Sequence, residues 1–69
     1  MPLSLGREGS VYIVKSIGGP AAVRQHLYEI GFNIGTPVAV VSSLGGNIIV
    51  KVREARFAID LAMANRIVV

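Results

Sequence analysis

Turn signals recur along this chain at intervals too short for long helices. Gly6 to Ser10 reads as a loop, Gly18-Gly19-Pro20 ends the next segment, Gly31 and Gly35 bracket a third break, and Leu44-Gly45-Gly46-Asn47 and Glu54-Ala55 read as turns. Between them lie short runs rich in β-branched residues: Val11 to Ile17 (VYIVKSI), Thr36 to Ser43, Ile48 to Arg53, Arg56 to Ile59 and Arg66 to Val69 (RIVV). Each is expected to be a strand. The third alternates, so Ile48, Val50 and Val52 should face a core while Ile49, Lys51 and Arg53 face outward.

Only the stretch after Pro20 has a helical period. Val23, Leu27 and Ile30 fall at i, i+4 and i+7 and form one apolar stripe, which predicts a helix from about Pro20 to Ile30. Pro20 suits the first turn, where its missing N–H costs nothing. Arg24, Gln25, Tyr28 and Glu29 lie opposite the stripe, with His26 at its edge. Gly31 stands at the C′ position, where a helix stop needs positive φ, and Phe32 should pack back on Leu27 as in a Schellman cap. Asp60 can cap a single helical turn, Leu61 to Ala64, and Asn65 can end it in the left-handed conformation.

The expected order is strand, helix, three strands, one helical turn, strand. Five short strands cannot bury both faces as an open sheet, and closing them into a small barrel removes most exposed edges. One domain over residues 1–69 is expected. With no cysteine in the chain, disulfides and thiolate metal sites are excluded, and the core must come from apolar burial alone. Hydrophobic residues make up 52% of the chain, more than an ordinary domain of this size carries, so some apolar surface should meet a partner or another copy. No apolar run approaches the roughly 18 residues that span a bilayer, and MPLSLGREGS lacks the pattern of a signal peptide. A cytoplasmic location without membrane insertion is the expectation.

Several segments together resemble the FeoA family, small accessory proteins of bacterial ferrous iron transport, and the FeoA-like domain of some metal-dependent repressors. They are Leu3 and Leu5, the Gly9 loop, Ile17-Gly18-Gly19, Arg24 and Leu27 with Ile30-Gly31-Phe32, Gly35 and Val38, Gly45-Gly46-Asn47, Arg56-Phe57-Ala58-Ile59, and Ala62 to Ala64 before Ile67 and Val69. The most specific part is R-x-x-L-x-x-(I/L)-G-(F/L)-x-x-G-x-x-V at Arg24 to Val38; the N-terminal segment matches least well. The resemblance implies a mainly β fold, a small SH3-like five-stranded barrel with one α-helix inserted after strand 1 and a short helical turn before the last strand. It also implies a partner, FeoB, a membrane protein joining a cytoplasmic G domain to a ferrous iron transporter, whose cytoplasmic part the accessory protein would bind and regulate.

The residues favour a binding module over an enzyme. One histidine and four scattered carboxylates form no catalytic constellation, and the paired glycines fit no phosphate-binding fingerprint. No cofactor is expected. His26 and Glu29, three apart, are weak candidates for metal ligands and lack a third; the plain alternative is a helix-edge residue and a solvated one. Net charge is +3, with one local concentration at Lys51, Arg53 and Arg56. That permits a small RNA-binding barrel, yet four aromatic residues leave little to stack bases, and a solvated strand face accounts for the charges as well. A metal-responsive module like the repressor domain is the other alternative. For a protein partner the candidates are Arg24, Gln25, Tyr28, Leu27 and Arg56, Arg and Tyr being enriched at interface hot spots. Leu27 serves as an anchor only if its tip is exposed; buried, it holds the fold. Gly31, Phe32 and Gly35 are read as structural. Self-association, through strand edges for example, is a further expectation.

Overall fold

The computed structural model describes Met1–Val69 throughout. A 3-10 turn at Leu3–Leu5 precedes β1 (Val11–Ile13) and β2 (Ser16–Ile17), then α1 (Ala21–Ile30), β3 (Pro37–Leu44), β4 (Asn47–Val52), β5 (Ala55–Asp60), α2 (Leu61–Ala64) and β6 (Ile67–Val68). β1, β3, β4 and β5 form one antiparallel sheet in the order β1-β3-β4-β5, and β2 pairs with β6 in a second.

Six strands stand where five are expected, because VYIVKSI divides between the sheets. Val14 N–H donates to Thr36 O at 3.1 Å, beside β3, while Lys15 N–H donates to Val68 O at 2.7 Å, beside β6. One extended run thus changes partner at the Val14–Lys15 step and ties the two sheets into a small barrel. The N-terminal segment adds to the second sheet. Pro2 bridges Val68, and Val69 N–H donates to Met1 O at 2.7 Å.

The core is wholly apolar: fourteen hydrophobic side chains are buried, and no polar or charged one is. Val38, Val40, Ile48, Val50, Val52 and Ile59 line its sheet side, as the alternation in β4 requires. Leu27 and Phe32 enter from α1 and its exit, Leu3 from the 3-10 turn, and Ile67 and Val69 from the C-terminal strand. Since no buried polar network contributes, the fold rests on area removed from water and on backbone pairing.

α1 stops as its sequence predicts. Phe32 N–H donates to Leu27 O at 3.0 Å and Gly31 N–H to Tyr28 O at 3.1 Å, the two bonds of a Schellman cap, with Gly31 at φ 128°. Gly35, at φ 89°, lies in the next turn, where its N–H donates to Val14 O at 2.8 Å. α2 is capped at its start by Asp60, whose Oδ1 accepts from Met63 N–H at 2.7 Å. Asp60→Ala is expected to cost about 1 kcal/mol, measured as a lowered urea midpoint at unchanged slope.

Asn65 differs from expectation. Its backbone is right-handed (φ −63°, ψ −23°), and its N–H continues the turn to Leu61 O at 2.8 Å. Its side chain is used instead: Asn65 Oδ1 accepts from the Ser4 hydroxyl and so ties α2 to the N-terminal turn. The β4–β5 connection is also displaced by one residue. Val52 pairs with Ala55, which leaves Arg53-Glu54 as a two-residue hairpin loop, and Arg53 adopts φ 57°. Tight hairpins require positive φ in the loop, ordinarily supplied by Gly or Asn, so Arg53 is unusual there.

Candidate protein-interaction surfaces

Two surfaces offer groups that the fold does not consume. The first is the outer side of α1, where Arg24, Gln25, His26 and Glu29 are exposed. Gln25 Nε2 reaches Glu29 Oε1 at 3.4 Å, a long contact between neighbours one turn apart. Tyr28 is not on this side as the helical period suggests; its ring is half-buried and packs against the core. Leu27 is fully buried and has no surface to offer a partner. Its place among the partner-binding candidates is therefore corrected: it holds the fold.

The second surface is the outer face of the four-stranded sheet. Tyr12 and Val14 point inward, so Val11 and Ile13 point out, 63% and 49% exposed. The register sets Val11 opposite Ala39 and Ile13 opposite Pro37. Across β3, Ala39 pairs with Lys51 of β4, and Lys51 pairs with Arg56 of β5. Val11, Pro37, Ala39, Lys51 and Arg53 line a cavity of about 320 Å³ open to solvent. The small residues of β3 form its floor, the aliphatic β1 one wall and the cationic end of β4 the other. Of the protein-partner candidates read from the sequence, Arg56 alone belongs to this face, together with Lys51 and Arg53 of the same basic concentration, and Arg24 and Gln25 lie on α1. The groove was missed because β1 alternates only among Val, Tyr and Ile; nothing polar in it tells which side faces water.

Possible chemistry elsewhere is largely taken up by structure. Glu8 Oε1 accepts from Ser43 N–H at 2.9 Å, Tyr12 Oη accepts from Arg7 N–H at 2.9 Å, and Asp60 caps α2. His26 and Glu29 remain a pair on the helix surface, and no three His, Cys, Asp or Glu side chains come together as a metal site would need.

The chain matches the FeoA domain over residues 1–69. It is 32% identical over 68 residues to a candidate Fe(2+) transport protein A of Methanocaldococcus jannaschii, covering 99% of this chain and 83% of that one. A solved iron uptake regulatory protein (FeoA) superposes with TM-score 0.87 at 38% identity, covering 96% of this chain and 88% of the other. The zinc complex of Stenotrophomonas maltophilia FeoA, described as an SH3 domain protein and proposed as a bacterial ferrous iron transport activating factor, superposes with TM-score 0.87 at 30% identity over 99% of this chain and 87% of that one. A manganese-dependent transcriptional repressor shares the fold alone, at 20% identity over 39% of its length with TM-score 0.87. A mainly β chain of six short strands and two helices, closed as an SH3-like barrel and matched from end to end, belongs to the FeoA domain family.

Proposed function

We propose that this protein is a non-enzymatic accessory factor of ferrous iron uptake, acting in the cytoplasm by binding the cytoplasmic portion of a FeoB-type membrane transporter. The observation that carries this reading is the likeness, over nearly their full lengths, to proteins named for iron(II) transport and for regulation of iron uptake. No helix of this chain is long and apolar enough to cross a membrane, and the reading gives transport itself to the partner. The exposed side chains available to it are Arg24 and Gln25 on α1, the uncovered edge of Tyr28, and Arg56 on β5.

Titration calorimetry of the purified protein with the cytoplasmic portion of the FeoB-type transporter from the same genome tests this. A saturable one-to-one complex is expected, together with reduced ferrous uptake on deletion of the gene. Absence of association, with uptake unchanged by the deletion, overturns it.

A further inference from the structure

We propose that the outer face of the four-stranded sheet binds a short, extended, acidic segment of a partner protein, with one apolar side chain seated over Pro37 and Ala39 and flanking carboxylates on Lys51, Arg53 and Arg56. Who the partner is rests on the proposed function above; the chemistry of the segment rests on the groove alone.

Shape comes first. Neighbouring strands lie about 4.8 Å apart, so the β1 and β4 walls stand about 10 Å apart with the low residues of β3 between them. That spacing admits one extended chain lying along β3, and the cavity of about 320 Å³ holds a leucine-sized side chain with room beside it. Val11 and Ile13 are aliphatic and largely exposed at a sheet edge, where solvent contact has no structural benefit.

Charge decides the rest. Lys51 and Arg56 stand directly opposite each other on the exposed face of β4 and β5. Like charges in that position destabilise a sheet, and nothing in the core requires them. Arg53 adds a third cation at the end of the same hairpin. Of the carboxylates on β4, β5 and the loop between them, Asp60 lies at the far end of β5 capping α2, and Glu54 stands exposed in the hairpin loop next to Arg53, one acidic group against three cations. A carboxylate placed between Lys51 and Arg56 would turn a mutual repulsion into two attractions. A nucleic acid would also bring anions, but this face carries no aromatic ring. Tyr12, Tyr28 and Phe57 pack against the core and Phe32 is buried within it, so bases find no stacking platform here.

Amide chemical-shift mapping on the isotope-labelled full chain tests the groove with three probes at low salt. These are an end-capped octapeptide alternating glutamate with leucine, the same peptide with lysine for glutamate, and an octamer of oligouridylate. The glutamate peptide is expected to move the amides of Val11, Ala39 and Lys51 with a midpoint at or below about 1 mM, and the other two probes are expected to leave them in place. Arg56→Glu is expected to weaken the glutamate peptide by about tenfold. The same change should raise the melting temperature, because Lys51 gains an opposite charge across the strands. Loss of binding in a more stable protein separates recognition from unfolding. No shifts, shifts confined to α1, equal binding by Arg56→Glu, or equal shifts with oligouridylate each overturn the groove. If the transporter's cytoplasmic portion binds native and Arg56→Glu protein alike, the groove falls and the proposed function stands. If the peptide binds and that portion does not, the reverse holds.

Discussion

Leu27→Ala is expected to destabilise the protein by about 3 kcal/mol, the middle of the range for a buried leucine whose surroundings cannot fully collapse. Leu27 is fully buried in the middle of α1, with Phe32 buried beside it in the same core. Its carbonyl also accepts the Phe32 N–H that closes the helix, so the residue is fixed at both its side chain and its backbone. A chain of 69 residues has roughly 3–10 kcal/mol of total stability, so this one truncation removes a large share of it. The melting temperature, followed by circular dichroism, should fall by about 12–24 °C. Arg24→Ala, three residues away on the exposed side, should change stability by less than about 0.5 kcal/mol. Together the two variants separate the fold from the surface within a single helix. If Leu27→Ala melted like the native protein while Arg24→Ala did not, the assignment of core and surface on α1 would be reversed.

The contrast also shows what was legible in the sequence. The helix, its glycine stop, the Gly45-Gly46 hairpin and the Asp60 cap could be read because each depends on chemistry within a few residues. The inward set Ile48, Val50 and Val52 could be read because Lys51 marks the other face. The division of VYIVKSI could not. No turn residue stands at Val14–Lys15, and the break exists because Thr36 and Val68, distant in sequence, each offer a carbonyl there. Asn65 misled for a similar reason: its helix-ending propensity is local, while its hydrogen bond to Ser4 crosses nearly the whole chain. The groove needed register most of all. Lys51, Arg53 and Arg56 were visible as a basic cluster, but only strand pairing shows that Lys51 faces Arg56 and that Val11 stands on the opposite wall.

Gly31→Ala is expected to cost about 2 kcal/mol, more than the same change at Gly45, although both glycines sit in tight reversals at positive φ. Gly45 lies at φ 61°, inside the left-handed well that other residues enter at moderate cost, and an added Cβ there meets nothing within 4 Å. Gly31 lies at φ 128°, well outside that well, and an added Cβ would come 3.3 Å from Val52 Cγ1. Val52 cannot readily give way, since it is buried in β4 with its partners on both sides fixed by the sheet. Relief by a change of φ would break the bond that Phe32 N–H donates to Leu27 O at the end of α1, and would draw Phe32 out of the core. The cost at Gly31 therefore includes backbone strain, a crowded contact and a coupled side chain, whereas at Gly45 it is strain alone. Urea unfolding of the two alanine variants, with Gly45→Asn as a near-neutral control, measures the difference. Equal losses at the two sites would mean that the helix stop is held by its own turn and not by the sheet beneath it.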